Sequence, residues 1–204
     1  MALPLSRARM RRVLSRIVGD PGARLLARLG LTPNMVTLLG LLFSVATAYL
    51  IATERLVAAG ILLLVSALFD HLDGALARLT DRVTVFGAFL DSVVDRMTEA
   101  MVLFGVLLLA LSRGSDVLAI LVFLALGLSV LVSYTRARAE GLGVSGEVGI
   151  LTRAERVVLL AAGLLAGQFT LVALSVALGI IAALSLVTTL QRVAYARRGM
   201  RERD

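Results

Sequence analysis

Four aspartates occupy two short windows of the chain. Asp70 and Asp73 lie three residues apart in Asp70-His71-Leu72-Asp73-Gly74-Ala75-Leu76-Ala77-Arg78. Asp91 and Asp95 lie four apart in Gly87-Ala88-Phe89-Leu90-Asp91-Ser92-Val93-Val94-Asp95. Such spacings put each pair on one face of a helix. Both windows sit at the inner ends of segments apolar enough for a bilayer, where each carboxylate costs roughly 2.5–3.5 kcal/mol on insertion scales. Four together must share something cationic. Hard oxygen ligands without His or Cys suit a pair of divalent ions, Mg²⁺ or Mn²⁺. Gly74 and Gly87 remove side chains beside the carboxylates and let a bulky ligand approach the backbone. Arg78, one turn past Gly74, is placed for a phosphate oxygen. Two metals, an arginine and room for a large ligand point to attack at a pyrophosphate. Arg96 and Glu99, at i and i+3, are expected to pair within their helix.

The elements that carry these groups read as membrane helices. Hydrophobic residues make up 59% of 204 positions, and the mean hydropathy is +0.94. All 21 basic residues are arginine and the net charge is +7. In so apolar a chain that charge points to an anionic membrane face rather than to nucleic acid. The absence of cysteine excludes disulfides, thiolate nucleophiles and cysteine-ligated metal. No cleavable signal pattern is expected at the N-terminus, because the arginine-rich stretch runs long and no A-x-A-like site follows.

Six apolar stretches fit spans of about 20 residues: 35–53, 57–79, 84–112, 117–134, 154–167 and 170–191, the fifth being short. Arginines cluster before the first span, between the second and third, between the fourth and fifth, and after the sixth. The positive-inside rule then puts both termini and the aspartates at the cytoplasmic face of the cell's inner membrane. Met10, Val13, Leu14, Ile17 and Val18 recur at helical spacing opposite Arg9, Arg11, Arg12 and Arg16. That predicts an amphipathic helix lying in the interface, ended by Pro21-Gly22. The expected fold is an all-α integral membrane bundle of six transmembrane helices with an N-terminal interfacial amphipathic helix. It divides into a juxtamembrane segment (1–31), a catalytic bundle (32–195) and a basic tail (196–204).

The two windows together spell D-x2-D-G-x2-A-R-x8-G-x3-D-x3-D, matched by Asp70, Asp73, Gly74, Ala77, Arg78, Gly87, Asp91 and Asp95. From about Thr32 to Arg192 the chain resembles the CDP-alcohol phosphotransferase family, membrane enzymes of phospholipid synthesis. The resemblance implies a six-helix, dimeric bundle that binds CDP-diacylglycerol or a related CDP-alcohol at the cytoplasmic interface. It implies that Asp70, Asp73 and Asp91 are ligands of two metal ions. Asp95 would be both a ligand of the second ion and the base that deprotonates the acceptor hydroxyl. Gly74, Arg78 and Thr84 would hold the cytidine diphosphate. Thr32-Pro33-Asn34-Met35 resembles the family's N-terminal nucleotide contact, and a helix N-terminus suits phosphate. The same residues also read as a plain helix start, with Thr32 as cap and Pro33 in the first turn. The motif leaves position 71 open, so His71, the only histidine, is not counted as a ligand.

For the acceptor, Ser133–Glu140 and Thr152–Arg156 are similar to segments of the phosphatidylinositol phosphate synthase branch, which form a basic pocket for inositol phosphate. Arg138, Arg156 and Arg192 match its phosphate-binding positions. Arg136 stands where that branch can carry lysine, which keeps charge but changes donor geometry. Two alternatives stay open: glycerol phosphate as acceptor, and ordinary positive-inside anchoring for these arginines. A divalent-cation transporter is the rival from another class, since intramembrane carboxylates also mark ion pathways. Against it, the aspartates cluster near one face with two glycines, and no ligand group stands at mid-membrane.

Overall fold

The computed structural model describes residues 20–201 except 145 and 147. Seven helices are seen among them: α1 (Asp20–Arg28), α2 (Pro33–Ala52), α3 (Leu56–Leu79), α4 (Val85–Ser112), α5 (Asp116–Gly141), α6 (Arg153–Gly167) and α7 (Leu171–Arg201). Four of these, α2, α3, α5 and α7, are long and apolar enough to cross a membrane. They mark a membrane protein. In α4 the first half carries Asp91, Asp95, Arg96 and Glu99, and α6 has 15 residues. Many large apolar side chains are exposed, among them Leu42, Phe123, Val172 and Leu190, as expected where hydrocarbon rather than water is the neighbour.

Two compact units divide the chain, one holding residues up to 44 with 65–98, the other 45–64 with the residues from 99 onward. In the first, Ala23 and Leu26 of α1 are buried with Val36 of α2 and Leu72, Ala75 and Leu76 of α3. Pro21 and Gly22, read as the stop of the helix before them, stand in the first turn of α1. Proline in a first turn loses no intrahelical hydrogen bond, and a Cβ on Gly22 would lie 2.6 Å from Leu72 Cδ2. The predicted amphipathic helix over Met10–Val18 lies outside the described residues. α1 ends at Gly30 (φ +72) with Leu31 N–H donating to Leu26 O and Gly30 N–H to Ala27 O, the double C-terminal closure that a left-handed glycine permits.

In the second unit one apolar core runs from Ile51 and Ala59 through Val102, Val106, Leu118 and Val122 to Leu160, Leu164, Leu174 and Leu178. Small residues let these helices meet closely, as membrane helices must when lipid offers no hydrophobic contrast. A Cβ on Gly105 of α4 would fall 2.6 Å from Ala48 Cα of α2, and one on Gly163 of α6 would fall 2.5 Å from Ala177 Cβ of α7. α7 packs along both α5 and α6. α6 opens on a capping box between Thr152 and Glu155 and passes to α7 through a turn at 168–170. Two helices outrun their apolar stretches: α5 continues past Tyr134 to Gly141, and α7 past Gln191 to Arg201. The segment 196–201 continues α7 as helix. Arginine-rich turns keep good helix propensity and suit a helix C-terminus.

Candidate active site

In the first unit, α3 presents Ser66, Asp70 and Asp73 to α2 at i, i+4 and i+7. Ser66 Oγ donates to Gly40 O at 3.3 Å. A Cβ on Gly40 would stand 2.9 Å from Asp70 Oδ1, so the absent side chain is what admits this carboxylate against α2. One helical turn earlier on α2, Thr37 Oγ1 lies 2.8 Å from Asp73 Oδ2 and 3.1 Å from Pro33 O. Its single proton serves one acceptor at a time, and the carboxylate is the stronger. The other Asp73 oxygen accepts from Gly74 N–H at 2.5 Å. Asp73 is only 6% exposed, and the charges of Asp91 and Asp70 bear on it. Phe43 and Phe69 meet edge to face at 5.0 Å and lock the turn before Asp70.

Two further predicted ligands, Asp70 and Asp91, thus lie within electrostatic reach of Asp73. Asp95 is half-buried, with the Arg96 guanidinium 3.7 Å from Oδ2. Among the described residues no three His, Cys, Asp or Glu groups stand as a cage for one ion. His71 Nδ1 lies 3.0 Å from Ala67 O of its own helix.

The expected nucleotide contacts gather at two helix starts. Thr32 Oγ1 accepts from Met35 N–H at 3.3 Å and caps α2. Thr84 Oγ1 accepts from Gly87 N–H at 3.0 Å before α4. A Cβ on Gly87 would meet Thr84 Oγ1 at 3.0 Å and Asn34 Oδ1 at 3.5 Å, so Asn34, Thr84 and Gly87 share one spot beside two helix starts, a setting suited to phosphate. Pro33 opens α2 and Met35 is exposed beside it. On α3 the Arg78 guanidinium lies back over Gly74, 3.5 Å from where a Cβ would be.

In the second unit the four candidate arginines part into two groups. Arg192 Nε donates to Val148 O at 2.8 Å and Nη1 donates to Val132 O. The charges of Arg136, Arg156 and Glu140 bear on it. Arg136 pairs with Glu140 at 2.8 Å, and the backbone of Gly146 folds closely over its stem. Arg138, two residues on and hence on another face of α5, lines a cavity of about 480 Å³ with Tyr134, Arg197 and Arg201, one wall of which is Arg192. Arg156 is 4% exposed and makes a two-pronged bond to Glu99, at 2.7 and 2.9 Å.

That last contact corrects the expected Arg96–Glu99 pair: Arg96 Nη1 donates instead to Ser92 O within its own helix. A buried guanidinium needs a full counter-charge, and Glu99 supplies it across helices. Two contributors were missed from sequence, Thr37 and Glu99. Glu99 carries a signal, because it follows Asp91 and Asp95 at successive fours on one face of α4. For Thr37 the only hint is its place one turn after Pro33.

A model of the CDP-alcohol phosphatidyltransferase family matches residues 30–195. An archaetidylinositol phosphate synthase of Pyrococcus horikoshii is 40% identical over 175 residues, covering 85% of this chain and 87% of its own length. A crystal structure of Mycobacterium tuberculosis phosphatidylinositol phosphate synthase with CDP-DAG bound superposes with a TM-score of 0.81 at 38% identity, covering 89% of this chain and 94% of that one. The same enzyme with manganese and citrate gives a TM-score of 0.79 at 37% identity, with 88% of each chain covered.

Proposed function

The chain belongs to the CDP-alcohol phosphatidyltransferase family, and from that membership we propose that it transfers the phosphatidyl group of CDP-diacylglycerol to a hydroxyl of inositol phosphate. CMP is released and phosphatidylinositol phosphate is formed. Two relatives that use inositol phosphate chemistry in name, at 38–40% identity, support this acceptor. The observation that carries it in this chain is the grouping of Arg136 and Arg156 around Arg192, on which both charges act; three such cations suit a phosphate dianion.

The oxygen-only donor set of Asp70, Asp73, Asp91 and Asp95 fits two Mg²⁺ or Mn²⁺ ions. When bound, these would supply charge neutralisation at the pyrophosphate. The mononucleotide end is held where Asn34, Thr84 and Gly87 meet, with Arg78 beside Gly74 for a phosphate oxygen. Asp95 accepts the proton of the acceptor hydroxyl. The freed oxygen forms a bond to the phosphorus that carries diacylglycerol, the bond from that phosphorus to CMP breaks, and CMP departs with the electron pair. Thr37 and Gly74 N–H steady Asp73 throughout. The enzyme works as a six-pass dimer of the inner membrane with both termini and the reaction on the cytoplasmic side.

Labelled CDP-diacylglycerol offered with inositol phosphate, glycerol phosphate, serine and free inositol tests the reading. CMP release driven by inositol phosphate above the other three is expected. A preference for glycerol phosphate would overturn the acceptor and leave the reaction type standing.

A further inference from the structure

The cavity at the ends of α5 and α7 has a construction that acceptor binding does not explain. On α7, Leu186, Leu190, Val193, Arg197 and Arg201 follow at intervals of four, three, four and four, so they form one stripe down a single face. All five are exposed. On α5, Phe123, Gly127, Leu131, Tyr134 and Arg138 do the same, and these too are exposed. Each stripe is apolar for three turns and cationic at its end. Both ends meet at the cavity of about 480 Å³, which Ala196, Val193 and Leu142 line together with the arginines. The two helices belong to the set long and apolar enough to cross a membrane.

We propose that this groove is a binding site for one anionic phospholipid of the surrounding bilayer. Its headgroup phosphate lies among Arg138, Arg197 and Arg201, and an acyl chain follows the apolar stripes. Charge and polarity change along the groove in the order in which they change along a phospholipid. Tyr134 stands at the boundary, with an apolar body and a polar tip. Basic pockets between membrane helices are suited to such headgroups, and the arginine stems themselves can line apolar surface while their guanidinium groups reach phosphate. The cavity shares its Arg192 wall with the acceptor arginines of the reaction proposed above, but the three arginines assigned to the lipid phosphate are others. Arginines that serve only to orient the chain in the membrane would attract negative lipid without needing the groove, and the test separates the two.

Purified full-length protein in a neutral detergent is titrated with phosphatidylglycerol or phosphatidylcholine of identical acyl chains, and bound lipid is counted by native mass spectrometry. Phosphatidylglycerol is expected to bind saturably and more tightly than phosphatidylcholine. Arg197→Gln with Arg201→Gln should weaken it by roughly ten- to thirtyfold. Ala196→Phe, which fills the cavity and leaves every charge in place, should weaken it roughly fivefold or more. Equal binding of the two lipids would overturn the proposal, as would unchanged affinity in Ala196→Phe. Inorganic phosphate that displaced phosphatidylglycerol at equal concentration would also overturn it, since the acyl chain would then contribute nothing.

Discussion

The two units handle charge in opposite ways. In the acid unit the buried Asp73 is held by neutral donors, a threonine hydroxyl and a glycine N–H, while Asp70 and Asp91 add like charge nearby. Neutral donors orient a carboxylate without cancelling it, so the region keeps the negative field that divalent cations require. In the arginine unit the cations are tied before any ligand arrives: Arg156 to Glu99, Arg136 to Glu140, and Arg192 to two backbone carbonyls. A phosphate entering there meets cations already fixed in direction, part of whose charge is spent. On the proposed reading the first region gathers ions and the second orients an organic anion.

The sharpest break of that contrast comes from the acid side. Asp70→Ala or Asp91→Ala should each abolish CMP release, and excess EDTA should do so in the unaltered enzyme. Full turnover in EDTA would remove divalent metal from the reaction. Asp95→Asn keeps shape but cannot take a proton, so turnover should fall at least about 100-fold while CDP-diacylglycerol binding survives. Near-normal turnover in that variant would transfer the base role elsewhere.

On the arginine side the effect should appear in KM. Arg192→Ala is expected to raise the KM for inositol phosphate tenfold or more, since a charge-assisted contact contributes roughly 1.5–3 kcal/mol, and to leave that for CDP-diacylglycerol unchanged. Equal changes in both constants would make Arg192 a structural strut bracing Val132 and Val148. Glu99→Gln tests the tying itself. Removing the charge leaves Arg156 buried without its counter-ion, a loss of about 3–5 kcal/mol for pairs of this kind, and a clear drop in Tm is expected. Glu99→Asp should recover part of that loss.

How much of this could be read from the chain follows the same division. The acid site was legible because its parts are local: Asp70 with Asp73, Asp91 with Asp95, and Gly74 with Arg78 are set by helical spacing alone. Its support was not, because Thr37 and Gly40 act across 36 and 30 positions of sequence and carry no motif of their own. The arginine site was legible as charge but not as geometry. Spacing alone separates Arg136 from Arg138, but only packing shows that one joins Arg192 and Glu140 while the other turns to the outer groove. The Arg96–Glu99 expectation failed for the same reason: a local pair lost to a buried cation on α6, whose need for a counter-charge is greater than that of half-exposed Arg96. The helix ends at Gly141 and Arg201 were missed because apolar length measures the membrane, not the helix.

A smaller effect is expected at Gly40. Adding a methyl there would press on Asp70 Oδ1 from 2.9 Å, and a carboxylate can swing where a backbone cannot. Gly40→Ala should therefore leave Tm nearly intact and lower turnover severalfold by displacing one metal ligand, with a rise in the divalent ion concentration needed for half-maximal rate. A fall in Tm with an unchanged metal requirement would assign Gly40 to helix packing only.

The smallest effect belongs to a pair that copies the geometry of Glu99–Arg156 without its burial. Arg113 also grips its partner Glu54 with two prongs, Nε donating to Oε1 at 2.7 Å and Nη2 donating to Oε2, and it links the turn after α2 to the turn after α4. The Glu54 carboxylate raises the Arg113 pKa above its ordinary value, so the arginine stays charged at any pH the enzyme meets. Yet the side chains are 51% and 46% exposed, against 4% and 15% for Arg156 and Glu99. Water and salt then compete with the fork, and exposed pairs of this kind contribute little. Arg113→Gln should leave both KM values and turnover as they are and move Tm far less than Glu99→Gln does, with the residual difference fading in high salt. A large, salt-insensitive loss in Arg113→Gln would mean that fork geometry rather than burial sets the worth of these pairs, and the contrast between tied and untied charge would have to be redrawn.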